Sequence, residues 1–173
     1  MPMIGHLPQG HSLHFQTERV SRWHKRLIDL YSGNVSEEHP ELAIDEMVVF
    51  FIFCHQLKDW IIRETYIPSR EVEDYINDNP CLSICADIAN SVKHLGIDDD
   101  EDVENAGQRA RRKRHSPRSG GDVRMRMGYL PTPDGCLLPR LFITSNDTEY
   151  DAKTIADECV LKWDEFLTSH LPK

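Results

Sequence analysis

The segment Met47 to Ile62 constrains the fold more than any other stretch of the chain. Met47 to Cys54 runs without a polar interruption, and Leu57, Trp60, Ile61 and Ile62 carry the pattern on. A strand competes for Met47 to Cys54, because Val and Phe favour sheets. The spacing through Leu57, Trp60 and Ile61 selects a helix instead, ending near Glu64. A helix that is apolar all round must be buried on more than one side. The rest of the chain therefore has to supply elements that surround it.

Phe15, Val20, Trp23, Leu27, Leu30 and Tyr31 predict a helix from about Ser12 to Tyr31, stopped by Ser32-Gly33-Asn34. Ser36, Glu37 and Glu38 supply a start signal for the central helix, and Pro40 is tolerated in its first turn. A third helical region spans Arg70 to Leu95 with Gly96 as its stop, and Pro80 should set Arg70 to Ile76 apart as a short helix. Val123, Met125, Met127 and Tyr129 alternate with Arg124, Arg126 and Gly128, Pro131 to Gly135 turns the chain, and Leu141 to Thr144 runs back. Asn146-Asp147 closes this hairpin. A last helix, Asp151 to His170, places Ile155, Ala156, Cys159, Trp163, Phe166 and Leu167 on one face. The fold expected is mainly α: a four-helix-type bundle with a small antiparallel β-hairpin inserted before the C-terminal helix.

A chain of 173 residues suits a single domain over residues 1–173. Within it, Asp98 to Glu104 is acidic everywhere but Val103, and Arg109 to Arg118 holds Arg111-Arg112-Lys113-Arg114. Residues 98–121 therefore read as a flexible charged loop whose two halves neutralise one another. The net charge of −9 argues against coating nucleic acid by bulk attraction, so such a contact needs a local basic patch. Five Cys in mostly apolar stretches suggest reduced core thiols in a cytoplasmic protein. Met1 to Gly10 lacks the pattern of a signal peptide, and Met47 to Cys54 is too short to span a bilayer, so no membrane partner is expected.

Two helices carry the candidate chemistry. On the third, Ser83, Asp87, Asn90 and His94 share one face, opposite Cys81, Cys85, Ile88, Val92 and Leu95. Short polar groups of that kind suit a groove or subunit interface, or equally an ordinary exposed face with a few hydrogen bonds. On the central helix His55 and Asp59 lie one turn apart, so the carboxylate can orient the imidazole, as a catalytic or a structural pair. Lys58 and Lys93 are natural phosphate partners, or else extend to water. Cys81 and Cys85 are spaced for two metal ligands, with Cys54, His55 and His94 as further donors. His94 sits opposite the two cysteines, however, so no metal or other cofactor is expected, and Cys54 and Cys159 read as small core residues. Phosphate-loop, nucleophile-elbow and dinucleotide motifs are absent.

Cys54-His55-x-Leu57-Lys58-Asp59-Trp60, Cys85-x-Asp87-Ile88-x-Asn90-x-x-Lys93-His94 and Ala156-Asp157-Glu158-Cys159-x-x-x-Trp163-x-x-Phe166-Leu167 together resemble a group of uncharacterised bacterial proteins. The Asn90-x-x-Lys93-His94 segment is similar, more distantly, to the HEPN superfamily of helical bundles. That resemblance implies a homodimer that binds RNA or cuts it without metal, in a defence or toxin–antitoxin system, with Arg and His meeting at a dimer cleft. The superfamily places four to six residues between Arg and His. Arg19 and His24 have that gap, as do Arg109 and His115, whereas only three residues separate Asn90 from His94. In the mechanism expected, His94 is the general acid or base for attack of a ribose 2′-hydroxyl on the adjacent phosphate. Asn90 and Lys93, with Lys58, hold the phosphate, Asp87 orients a neighbour, and His55 with Asp59 is the second acid–base pair. The alternative is a non-catalytic interaction or dimerisation module with a cognate protein partner. A cleft open to solvent favours the first reading, and a sealed, fully paired polar cluster favours the second.

Overall fold

The computed structural model describes residues 12–33, 40–94 and 123–171. The start signal at Ser36, the stop at Gly96, the charged loop 98–121 and the Arg109–His115 spacing lie outside the described residues.

The order of elements is α1 (Leu13–Tyr31), α2 (Pro40–Glu64), α3 (Ser69–Asp78), α4 (Pro80–His94), β1 (Val123–Pro131), β2 (Leu137–Ser145), β3 (Thr148–Asp151) and α5 (Ala152–His170). The architecture is mainly helical, with a small antiparallel sheet before the final helix. Ser12 Oγ accepts from the Phe15 amide at 3.2 Å and Asp151 Oδ1 accepts from the Thr154 amide at 3.0 Å, so α1 and α5 begin at side-chain caps. Pro40 and Pro80 occupy the first positions of α2 and α4, where a missing N–H costs nothing. Pro80 thereby splits the third helical region into two.

The sheet departs from the two-stranded hairpin expected from sequence. Asn146 and Asp147 do not end it. Both adopt left-handed backbone, φ 50° and 58°, in a two-residue turn that sends the chain back as β3. The order is β1-β2-β3, with Met127 opposite Leu141 and Phe142 opposite Asp151.

α2 packs against every other helix and against β1 and β2. Met47, Phe50, Phe51, Cys54 and Ile61 are fully buried along its length. Leu141 and Ile143 of β2 close one side of this core, and Ala156, Trp163 and Phe166 of α5 close another. Leu141 has 0% exposure but lies one residue beyond the end of β3, because its partner position falls at Ala152, where α5 has begun. The Tyr31 hydroxyl takes over there. It donates to Leu141 O at 2.9 Å and accepts from Leu141 N at 3.1 Å. A side chain at the end of α1 thus completes the sheet edge. Gly33, at φ 73°, follows it, and a Cβ at that position would stand 2.7 Å from Leu138 Cδ2. Among the described residues no helix is long and apolar enough to cross a membrane.

Candidate functional site

Of the polar residues singled out on α2 and α4, Ser83, Asp87 and His55 are buried in the interior. From Cys81 to Ala89 every residue of α4 is buried, so Ser83 and Asp87 do not line an open face. Ser83 Oγ donates to Ile76 O at 2.9 Å. Asp87 and His55 retain 7% and 6% exposure, and both are engaged by neighbouring groups. Lys58 extends to α3, where its Nζ donates to Glu73 Oε1 at 3.0 Å. Its charge is thus matched by a carboxylate inside the protein. Asp59 is exposed and Asn90 is half-buried. Lys93 and His94 belong to the last turn of α4, and their side chains lie outside the described residues.

Arg19 and His24 of α1 face different partners. Arg19 donates to Gln16 Oε1 at 3.2 Å and stacks over the rings of Phe15 and Phe53. His24 Nε2 meets Asp157 Oδ1 of α5 at 2.7 Å, and Lys153 Nζ reaches the other oxygen at 2.6 Å. Burial raises the Asp157 pKa, but the hydrogen bonds from Lys153 and His24 outweigh it and hold the carboxyl below its ordinary value. Sequence reasoning had no access to this pair, since its partners are 133 residues apart.

A surface concavity of about 420 Å³ lies between α3 and α5, lined by Glu71, Asp74, Asp78, Tyr75, Phe166 and His170 among others. His170 Nε2 closes on Glu71 at 2.8 Å. The Phe166 carbonyl and that carboxylate raise its pKa. Arg70 also lines this space and pairs with Asp74 at 3.5 Å, so the polar rim is of mixed charge.

Four of the five cysteines are buried, and Cys136, in the turn between β1 and β2, is exposed, unlike the core thiol expected. Cys54 of α2, Cys85 of α4 and Cys159 of α5 converge, their sulfurs all within 4.8 Å of one another. Cys85 Sγ donates to Phe51 O and Cys159 Sγ to Cys81 O, each at 3.3 Å. The thiols of Cys159 and Cys85 lower the pKa of Cys54, whereas burial pushes Cys85 and Cys159 up. The signal available in the sequence was that each of these cysteines lies on an apolar stripe and so points to the common core.

The hairpin end presents the opposite kind of surface. Tyr129, Leu130 and Leu137 are 43%, 48% and 55% exposed at the far end of β1 and the start of β2. Among the described residues no strand pairs with the outer edge of β1. Comparison of the chain with family models, with curated proteins and with solved structures finds no match.

Proposed function

We propose that this protein is a non-catalytic interaction module that associates with a second copy of itself through β1 and the hairpin end. The observation carrying this reading is that His55 and Asp87 are buried and engaged within the chain and the half-buried Lys58 is paired with Glu73, while large apolar side chains stand exposed at the hairpin. An unpaired strand edge is a template for another strand, and a two-fold axis makes such pairing self-complementary. Antiparallel pairing centred on Met127 sets Met125 against Tyr129 of the second copy. It also sets Arg126 against Gly128 and Arg124 against Leu130. No arginine meets another across the pair. We take the finer architecture to be a four-helix-type bundle of α1, α2, α4 and α5, and the buried thiols favour the reducing cytoplasm.

Sedimentation equilibrium tests this reading. The protein is expected to be a dimer, and Leu130→Asp with Leu137→Asp is expected to be a folded monomer. A monomer at every concentration would overturn it.

The second reading is an RNA-binding protein or metal-independent ribonuclease. It is supported by the half-buried Asn90 near the end of α4, followed by Lys93 and His94. There His94 supplies the acid or base, Asn90 and Lys93 hold the phosphate with Lys58, and Asp87, His55 and Asp59 assist. Incubation with mixed RNA in EDTA, beside His94→Ala and His55→Ala, decides it. Cleavage lost in a folded His94→Ala variant establishes the nuclease, and no cleavage by any of the three proteins removes it.

A further inference from the structure

Three thiols from three helices meet at one point in the core, which filling space does not require. Cys54, Cys85 and Cys159 are at most 1% exposed, and their sulfurs lie within 4.8 Å of one another. Sulfurs bound to one ion at about 2.3 Å stand roughly 4 Å apart, so only small side-chain rotations separate this arrangement from a ligand set. A second observation points the same way. The Trp163 indole Nε1 is buried and has no hydrogen-bond partner among the described residues, in a side chain 2% exposed. It lies beside Cys54 without closing a hydrogen bond to it. A neutral thiol is a weak acceptor. A metal-bound thiolate carries charge and accepts such a donor well, which is how groups around a metal commonly steady its ligands.

We propose that Cys54, Cys85 and Cys159 bind a divalent thiophilic metal ion of the zinc class. Soft thiolates select such ions over hard cations that prefer oxygen. Three thiolates and a divalent ion leave one net negative charge, whereas a monovalent ion leaves two, and charge in an apolar core is costly. The Trp163 N–H faces that charge. On binding, each ligand that starts as a thiol releases its proton to solvent. Cys85 and Cys159 then exchange their bonds to the Phe51 and Cys81 carbonyls for bonds to the ion. Cys81, one helical turn before Cys85, borders Cys159 and offers a candidate fourth donor. The site is independent of the interaction surface at the hairpin.

The test is anaerobic titration of the reduced, metal-free full chain with Cd²⁺, reading the ultraviolet thiolate-to-metal charge-transfer band. Saturation at one ion per chain is expected, with the band lost in Cys159→Ala and kept in Cys136→Ala. No band, or a band lost only in Cys136→Ala, overturns the proposal, since the exposed thiol then accounts for binding. Because Cys159→Ala can fail to fold, the unmodified protein provides a second readout. In urea just below the unfolding midpoint, one equivalent of Cd²⁺ should slow alkylation of Cys54, Cys85 and Cys159 at least tenfold, while Cys136 reacts as before. Unchanged rates at the three core thiols would refute the site.

Discussion

Replacing Tyr31 by Phe isolates the hydroxyl that finishes the edge of β2. The ring remains, and with it the packing beneath the Arg140 guanidinium, 4.7 Å from the ring centre. What is lost is the bond to Leu141 O at 2.9 Å and the acceptor for Leu141 N at 3.1 Å, while Lys153 N at 3.4 Å adds little. Both Leu141 groups are deprived of a partner in a residue with 0% exposure. A buried group left unpaired costs about 1–3 kcal/mol, so the pair should cost about 2–6 kcal/mol, a fall in Tm on the order of 10 °C. Urea denaturation followed by circular dichroism measures it, with Tyr66→Phe, at a fully exposed position, as the neutral control. The pH dependence gives a second readout. Burial, outweighing the Leu141 bond, pushes the Tyr31 pKa up from 10.0 to about 12. The unfolded chain therefore ionises first. The stability due to the neutral phenol is complete below pH 10 and is lost as pH rises through about 12. At about 1.4 kcal/mol per pH unit the loss is about 3 kcal/mol, and the gap between the two proteins should close over that window. A difference below about 0.5 kcal/mol at neutral pH, the range of an ordinary surface change, would refute the reasoning.

Gly33→Ala should destabilise by about 1–2 kcal/mol, because the residue adopts φ 73° and its new Cβ meets Leu138; chemical denaturation reads the loss. Asp147→Gly should instead stabilise by about a few tenths of a kcal/mol, read as a higher unfolding midpoint, since φ 58° in this turn suits glycine. Asp157→Asn should flatten the acid side of the stability profile. The depressed carboxyl pKa contributes above its unfolded value of 3.8 and is lost as pH falls through the folded one. With the Asp157 side chain 43% exposed, the effect should stay near or below about 1 kcal/mol in acid-titrated melts.

The helices were legible because their apolar spacing is local. Phe15 to Tyr31 and Ile155 to Leu167 each announce a single buried stripe, and Pro80 divides α3 from α4 by its missing amide. β3 was not legible. Thr148–Asp151 is four residues long with only Tyr150 to mark an inner face, and Asn146-Asp147 reads equally as a stop or a reversal. The polar face of α4 was read from angle alone, and an angle does not say how many neighbours surround a helix. Ser83 and Asp87 are enclosed because α2, α3, α5 and β1 all reach α4. The thiol convergence was hidden for the same reason. Each cysteine reports its own stripe, and only packing reveals that three stripes meet at one height.

The central position of α2 has a consequence for how the molecule comes apart. Since it touches each other helix and both longer strands, no element of the core can leave without exposing part of it. Partial opening should therefore be costly everywhere except at the hairpin end and the helix termini. Native-state hydrogen exchange should find the slowest amides between Met47 and Ile61, all opening with one common free energy equal to that of global unfolding. Fluorescence of the tryptophans and helical circular dichroism should then trace a single coincident transition.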